Sequence, residues 1–491
     1  MHSKPILLLA WTLCALSLLS GCGTMPEERS AEIYDLTGIR AGSALPVADG
    51  RVPTRVTRLI YLPAEDGEAL EASAQELSVE GKAEEMRALL TLQLAGLQSQ
   101  RRGSWPRVEG GEEATVRIAG AFAIVNLPSG YRMIDPTALY GLRQAIAQTF
   151  GAAGIPHTLV LTDGREEGID LAGTMPAGVF APIPPRALGE TYNKLEQERQ
   201  SHEAFIRTAA IFLPSADGRR LCPVVRTVTC DDASSVSCLY AVLGALGEAG
   251  KDPLLHSAIP APMDYMEEMP EIVRSEDGGR RLIQLHFTKG LQEALDAASL
   301  PMRTYLGMLA ESLMGFVPGV DGLACTLGDL PLAVDGSLIR NKQGAAFVWR
   351  DYDELLGAPA KVYSTGRAGG LSPDWAILPW DQAQDVRSLL KVMMERPQGL
   401  RALPDGLTDA DVLAVRIEKE NVILSLSEAF YQRLCEMEEG AARRAIYAIV
   451  DTLVECTDRS GVIFFFGGEQ KDEIHGIVMR GRLMRNPGII E

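Results

Sequence analysis

Two near-identical turns carry the first residues whose type could do chemistry. The segments IYLPAEDGEAL (60–70) and IFLPSADGRRL (211–221) each place an aspartate, Asp66 or Asp217, directly before a glycine. A carboxylate at such a place could act as a general acid or a ligand. The related segment KVYSTGRAGGL (361–371) keeps the aromatic residue, the glycine and the leucine but has no aspartate. We therefore expect hairpin turns, in which glycine supplies the positive φ of a primed turn, and no catalytic carboxylate.

Two serines and one cysteine are the candidate nucleophiles. Ser425 and Ser427 share one face of an apolar strand, but a serine nucleophile needs a positioned base. His286 lies on the equivalent strand of a different part of the chain and does not supply that base, so we expect both serines to face solvent. Cys456 has no cationic neighbour in the sequence to activate a thiolate.

One helix position carries a polar residue in three related segments: Gln148, Glu311 and Asp451. A catalytic carboxylate is not replaced by an amide in a shared role, so the expected role is capping or hydrogen bonding. The six histidines are scattered singly, which predicts no metal site. No nucleotide-binding or hydrolase motif is present. The sequence thus predicts no catalytic, cofactor-binding or metal-binding residues.

The net charge excludes some partners. The 491 residues carry a formal charge of −18, whereas a nucleic-acid-binding protein needs a cationic surface to displace counterions. The same charge disfavours general adhesion to an anionic membrane surface or wall polymer.

The N-terminus indicates export. Lys4 precedes an apolar run over 6–19 that is too short to span a membrane and reads as a secretory signal. The run ends in Leu-Ser-Gly-Cys, which resembles the bacterial lipobox, a motif cleaved before its cysteine. The resemblance implies a signal peptide over 1–21, lipidation of Cys22 and anchoring on the extracytoplasmic face of a membrane, since two acyl chains suffice for stable attachment. An ordinary signal peptide is the alternative.

Six cysteines remain in the mature chain. An even number in an exported protein allows disulfides, but no C-x-x-C spacing occurs and three of the six lie in apolar periodic segments. Buried free thiols are the favoured interpretation, and the pairing stays open. The six are Cys222, Cys230, Cys238, Cys325, Cys435 and Cys456.

The opening segment recurs three times at equal spacing. Tyr61, Phe212 and Tyr363 are 151 residues apart, as are the three turn glycines that follow them. A period of domain length indicates tandem domains and not a solenoid. We expect the three aromatic residues to belong to the cores.

Each repeat is predicted to have the order β-β-α-β-β-α-β, which is an α+β domain with two helices beside a small mixed sheet. A flexible tether is expected over 22–50, and a charged, solvated helix is expected to link the first two repeats at 181–204. The three repeats are then 51–180, 205–345 and 346–491.

Several of these segments resemble the GerM domain of spore-forming bacteria. The resemblance is carried by IFLPSADGRRLCPVVRTV, by NVILSLSEAFYQ with Phe430, and by AIYAIVDTL at 445–453. It covers nearly all of the mature chain, and three copies depart from the two that the family usually shows. It implies a fold similar to the ring-building modules of secretion-type assemblies and an exported, lipid-anchored protein of sporulation or germination. The family motif contains no catalytic residues.

The leading functional hypothesis is therefore a non-enzymatic scaffold that acts through protein–protein contacts in the cell envelope, in a sporulation complex or by self-association. The main alternative is a module that binds wall peptide, glycan or a small ligand in a cleft between repeats. A cell-wall hydrolase is the third class, for which the sequence displays no converging carboxylates.

Overall fold

A computed structural model describes the chain as an α+β protein with several small sheets. The described residues are 48–99, 114–169, 175–201, 203–247, 252–275, 279–332, 339–341, 344–347 and 349–491. The expected signal peptide, Cys22 and the expected tether as far as residue 47 lie outside them.

The first repeat consists of a long β-hairpin, a helix, a second strand pair, a second helix and a closing strand. These elements are β2 (Thr54–Pro63), β3 (Leu70–Val79), α1 (Lys82–Ser99), β4 (Thr115–Ala119), β5 (Phe122–Leu127), α2 (Pro136–Ala152) and β6 (His157–Thr162). A further helix, α3 (Leu188–Ser201), leads into the second repeat, where the charged linker was expected.

The second repeat follows the same order with one additional helix before the last one. Its elements are β7 (Phe205–Pro214), β8 (Leu221–Cys230), α4 (Ser235–Leu246), β9 (Glu271–Arg274), β10 (Arg281–Phe287), α5 (Gly290–Ala298), α6 (Met302–Met314) and β11 (Gly322–Leu327), followed by the short strands β12 (Leu330–Pro331), β13 (Ile339–Asn341) and β14 (Gly344–Phe347).

The third repeat again has the additional helix. Its elements are β15 (Gly357–Thr365), β16 (Leu371–Pro379), α7 (Val386–Glu395), β17 (Val412–Glu418), β18 (Asn421–Leu426), α8 (Glu428–Glu436), α9 (Glu439–Thr457) and β19 (Gly461–Phe466), followed by β20 (Glu473–Ile474), β21 (Ile477–Val478) and β22 (Arg482–Leu483). The prediction of two helices per repeat therefore missed α5 and α8. Phe430 lies in α8 and not in the strand to which the sequence assigned it, because Ser427 caps a helix there.

The strands that the three repeats have in common pair in the same way, although the second and third repeats add further strands to their second sheets. Each hairpin forms its own two-stranded antiparallel sheet. In the second sheet of each repeat, the two later strands of the pattern pair in parallel, and an antiparallel strand flanks them. A helix joins each parallel pair, as a parallel connection requires. The repetition in the sequence is thus a repetition of topology.

Side-chain caps mark where several helices begin. The carboxylate of Asp135 accepts hydrogen bonds from the amides of Thr137 and Ala138, and Pro136 occupies the first helical position of α2. Ser234 and Asp385 cap α4 and α7 in the same way. These caps satisfy amide groups that the first turn of a helix leaves unpaired.

The cores of the three repeats are divided unequally. One continuous cluster of buried apolar side chains runs through the first and second repeats and includes Tyr352 and Leu356 at the start of the third. The third repeat has a cluster of its own, to which the first repeat adds only Ala119. The strands β18 and β19 also bury a small patch on their opposite face, formed by Ile423, Ile463 and Phe465.

The end of the expected tether is bound to the third repeat. The strand β1 (Gly50–Arg51) pairs in parallel with β17. A side-chain oxygen of Asp49 accepts a hydrogen bond of 2.7 Å from the amide of Val415, and Asp49 pairs with Arg387 at 3.0 Å. Residues 49 and 50 are therefore not part of a flexible segment.

Candidate interaction site

The three turn glycines adopt the positive φ that the sequence predicted. The φ angles of Gly67, Gly218 and Gly369 are 74°, 68° and 90°. Each glycine amide donates to the carbonyl three residues earlier. A two-residue primed turn needs positive φ at its first central residue, but Asp66 and Asp217, which hold that place, do not have it. The predicted turn type was therefore wrong, and each glycine instead ends an ordinary turn within a longer loop.

The aspartates at these turns are structural, as predicted. The carboxylate of Asp66 accepts from the amide of Glu68 at 2.9 Å. That of Asp217 accepts from the amide of Arg219 at 3.1 Å and from the hydroxyl of Ser215 at 2.6 Å. These are the local hydrogen bonds by which aspartate stabilises turns.

A hydroxyl on the last long helix of each repeat binds the backbone of the repeated aromatic residue. The amides of Tyr61, Phe212 and Tyr363 donate to Thr149, Ser312 and Thr452, respectively, at 3.0, 2.9 and 3.0 Å. All three hydroxyl residues are buried. Phe212 and Tyr363 are core residues, as expected, and Tyr61 packs against the core while partly exposed. This bond fixes the hairpin to the helix in each repeat.

The polar residue before each hydroxyl was expected to form hydrogen bonds, and two of the three do so. The side chain of Gln148 accepts from the amide of Ile183 at 2.9 Å, and that of Asp451 accepts from the amide of Asn486 at 3.2 Å. Each of these side chains therefore binds the backbone of the segment that follows the closing strand of its repeat. In Glu311 one carboxylate oxygen has no hydrogen-bond partner among the described residues. Burial raises its pKa to about 8, although Arg117 opposes the shift.

Both candidate serines differ from the expectation of solvent-facing strand positions. Ser425 is buried, because the second face of the sheet is covered as well. Ser427 follows the strand and caps α8: its hydroxyl accepts from the amide of Phe430 at 3.0 Å and donates to Asp411 at 2.6 Å. Among the described residues, the hydroxyl of Ser427 is bonded to a carboxylate and an amide and not to a histidine.

A cleft between the first and third repeats is the main candidate site; the sequence suggested a ligand-binding cleft between repeats as an alternative but not which two repeats form it. It consists of two adjoining cavities of about 580 and 390 Å³ that share several lining residues, among them Arg51, Lys82 and Gly120. The repeats approach closely at Gly120, where an added Cβ would lie 3.2 Å from Pro359. We call this feature the first–third cleft.

The wall of the cleft formed by the third repeat combines charge and aromatic surface. Lys361 donates to Glu455 at 2.6 Å, and the hydroxyl of Tyr363 donates to the same carboxylate at 2.7 Å. Burial raises the pKa of Glu455, but the hydrogen bonds from Lys361 and Tyr363 and the nearby Arg485 outweigh it and hold the pKa below its usual range. The carboxylate is thus kept ionised and is unsuited to act as a general acid.

Two tryptophans complete this wall. Trp375 is 44% exposed, and Trp380 is half-buried. A partly exposed indole offers a flat apolar face and a hydrogen-bond donor, which suits binding. In the sequence, only these two tryptophans in LSPDWAILPW could have indicated the cleft. The sequence did not show which residues lie opposite them. Cys456 also lines the cleft, and burial raises its pKa to about 11, so its thiol is not activated.

The six cysteines among the described residues are all free thiols. Cys222, Cys230, Cys238 and Cys325 are buried, while Cys435 and Cys456 are half-buried. Over the described ranges, no group of acidic, histidine or cysteine side chains is arranged to hold a metal ion. In the same part of the chain, no helix is long and apolar enough to cross a membrane.

Comparison with solved structures yields several matches, among them a putative lipoprotein from Clostridium perfringens that is 12% identical, with coverage of 26% of this chain and 87% of that one and a TM-score of 0.18. No protein-family model and no curated protein matches the chain. The tandem GerMN domains of the sporulation protein GerM from Bacillus subtilis are 14% identical; the match covers 57% of this chain and 98% of that one, with a TM-score of 0.21. The first GerMN domain of the same protein is 16% identical and covers 27% of this chain and 98% of that one, with a TM-score of 0.22. Scores of this size do not establish a common fold, so membership of the GerM family remains a prediction.

Proposed function

We propose that this protein is a non-enzymatic scaffold with three GerM-like domains, anchored by lipid at Cys22 on the extracytoplasmic face of a membrane. It acts in sporulation or spore germination through contacts with other envelope proteins. The domains are the three repeats, each built on the predicted β-β-α-β-β-α-β order with a helix inserted in the second and third.

This proposal rests on the hydrogen bonds that the polar residues shared by the repeats form. In every repeat the hydroxyl of the last long helix binds the hairpin backbone. In two repeats the preceding polar residue binds the outgoing segment. These groups are engaged within the fold, and all but the half-buried Gln148 are buried, so the feature common to the three repeats is architecture. Repeated architecture without repeated chemistry favours a protein that works through its surfaces.

The hairpins offer such surfaces. In β3, the consecutive residues Glu71, Ala72, Ser73 and Ala74 are all exposed. Because no other strand of the described residues extends the two-stranded sheet of each hairpin, the outer edge of its second strand offers backbone groups that another chain can bind. The outer edge of the first strand is less accessible, since a helix hydroxyl binds it at Tyr61, Phe212 and Tyr363.

The proposal is tested by photo-crosslinking in sporulating cells of the source organism. A photoreactive residue is placed at Ser73, Thr229 or Trp375, one exposed position on each hairpin, and at Met133 as an exposed control away from the hairpins. We expect discrete protein adducts from at least one hairpin position and none from Met133. Absence of adducts at all three hairpins would contradict the scaffold role. Release of muropeptides by the purified protein would overturn the non-enzymatic assignment.

The first–third cleft favours a second candidate function, the binding of wall peptide or glycan. Its two tryptophans and its mixed charges suit a ligand with flat apolar faces, ammonium groups and carboxylates. Retention of the soluble protein (residues 23–491) by purified peptidoglycan, and its loss in Trp375→Ala and Trp380→Ala, would favour this candidate. Leu400→Ala, which removes an exposed apolar side chain outside the cleft, is the matched control.

A further inference from the structure

Two of the six mature cysteines lie against each other in the second repeat. Cys230 is the last residue of β8, and Cys238 lies in the first turns of α4. Their sulfur atoms lie close enough for each thiol to act on the pKa of the other. Both residues are fully buried. No such thiol pair is recorded for the other four cysteines.

The connection between the two cysteines is held in place by its own hydrogen bonds. The hydroxyl of Ser234 caps α4 by accepting from the amide of Ser237 at 3.1 Å. The hydroxyl of Ser237 in turn accepts from the amide of Asp231 at 2.7 Å. The turn between strand and helix is therefore defined, and it sets the two sulfur atoms side by side.

The two thiols change each other's pKa in the folded protein: Cys238 lowers the pKa of Cys230, which burial opposes, and Cys230 raises the pKa of Cys238. A disulfide between buried cysteines forms before the fold closes, so these folded-state shifts do not decide which of the two cysteines attacks first.

We propose that Cys230 and Cys238 form an intramolecular disulfide when the chain folds in the presence of a disulfide oxidant. The thiolate of either cysteine, for example Cys230, attacks an external disulfide RS–SR, forming a Cys230–S–SR bond and releasing one thiolate, which takes up a proton. Cys238 then loses its proton and attacks the Cys230 sulfur, which releases the second thiol. Two S–H groups are oxidised to one S–S bond, and RS–SR is reduced to two RSH. The buried site requires that the reaction precede closure of the fold.

The bridge would stabilise the second repeat. It closes a short loop and removes conformations from the unfolded chain. In an exported protein such a bond persists, since oxidising compartments do not reduce it. The proposal concerns a modification site and does not depend on the scaffold role or on the occupant of the first–third cleft.

The test is refolding of the mature chain in a mixture of oxidised and reduced glutathione, followed by alkylation under denaturing conditions and peptide mapping. Trypsin releases both cysteines in one peptide, residues 227–251, because no lysine or arginine lies between Arg226 and Lys251. We expect this peptide without alkyl groups and lighter by two hydrogens, whereas the peptide that contains Cys222 is alkylated. A doubly alkylated 227–251 peptide, or linkage of Cys230 to any other cysteine, would overturn the proposal.

Thermal unfolding supplies an independent reading. Reductant should lower the unfolding midpoint of the refolded wild type by about 5 °C. The double variant Cys230→Ala/Cys238→Ala should show no response to reductant, and Cys222→Ala should keep the full response. A wild-type midpoint that is insensitive to reductant would contradict the proposal even if the double variant folded poorly.

Discussion

The first repeat meets its two neighbours in different ways. Against the second repeat it forms a junction within one continuous core: the amide of Val179 donates to the carbonyl of Thr208 at 2.7 Å, and the amide of Glu166 donates to that of Met314 at 3.1 Å. Against the third repeat it leaves a cleft lined by charged and aromatic side chains. Two similar repeats can therefore meet in a shared apolar core, which stabilises both, or across a cleft, which leaves side chains accessible to a ligand.

The difference follows from what each interface buries. The junction encloses a carboxylate, Glu166, whose oxygen accepts from the amide of Ala177 at 3.1 Å and from Arg143 at 3.4 Å. Burial raises the pKa of Glu166 to about 7, although Arg143 opposes the shift. The cleft keeps its ion pairs partly in water. We expect the first two repeats to unfold together and the third repeat to unfold as a separate unit.

The largest expected effect is that of Gly178→Ala at the junction. Gly178 has a φ of 74°, and an added Cβ would overlap the carbonyl oxygen of Thr208. Calorimetry should show a loss of about 3 kcal/mol or more in the unfolding free energy of the joint first and second repeats, with the transition of the third repeat unchanged.

Gly154→Ala is the control for this substitution. Gly154 also has a positive φ, 92°, but an added Cβ there meets nothing within 4 Å. Its loss should be limited to about 1–2 kcal/mol of backbone strain. Equal losses for the two variants would show that the junction is not tightly packed.

The second prediction concerns pH. The folded protein raises the pKa of Glu166 from 4.5 to about 7 and that of Glu311 from 4.5 to about 8. Both carboxyls bind a proton more tightly when folded, so their stabilising contribution is complete below pH 4.5 and is lost as the pH rises through 7 and 8, respectively. Denaturant titrations should show the joint unit weakening between about pH 4.5 and pH 8 by about 3 kcal/mol or more.

Glu311→Gln should flatten the upper part of this dependence, because the amide does not ionise. Glu76→Gln, a change of the same kind at an exposed position on β3, should leave the profile unaltered. A wild-type stability that rises between pH 5 and pH 8 would refute the assignment of these two carboxyls.

The third prediction tests the repeated hydroxyl. Thr452→Val leaves the buried amide of Tyr363 without its acceptor and should lower the unfolding free energy of the third repeat by about 1–3 kcal/mol. Thr91→Val removes a helical hydroxyl that is exposed and should change stability by less than about 0.5 kcal/mol. Similar values for the two variants would deny the repeated bond a structural role.

The smallest effect is expected in the cleft. Lys361→Met separates a pair whose side chains are 26% and 28% exposed, and water and salt screen such pairs. The loss should be below about 1 kcal/mol and should shrink further in 0.5 M salt. A loss as large as that of Gly178→Ala would show that the cleft is held together as firmly as the junction.

The sequence predicted the parts of the fold that depend on local pattern. The hairpin strands, the turn glycines and the repeated aromatic residues all follow from apolar alternation and from the special conformation of glycine. The helix α8 was missed because its capping serine, Ser427, follows directly on an alternating strand. Ser425 was misjudged since its alternation predicts one solvated face, whereas both faces of that sheet are covered.

The location of the candidate site was beyond the reach of the sequence for a physical reason. Lys82 lines the first–third cleft together with Trp375 and Glu455, which follow it in the sequence by hundreds of positions. The regular spacing of the repeats does not show that the first and third repeats face each other across a cleft. The contact between Cys230 and Cys238 likewise depends on how α4 packs against β8, although both cysteines were identified in the sequence.

The central claim is that the repeats share a structure and act through their surfaces, and one paired measurement tests it most directly. Recovery of crosslinked partner per folded molecule is compared with thermal stability for Thr452→Val, which alters a shared buried position, and for Thr229→Arg, which alters an exposed hairpin position. We predict that Thr452→Val lowers stability and leaves recovery unchanged, whereas Thr229→Arg lowers recovery and leaves stability unchanged. Loss of recovery in Thr452→Val together with unchanged recovery in Thr229→Arg would contradict the account.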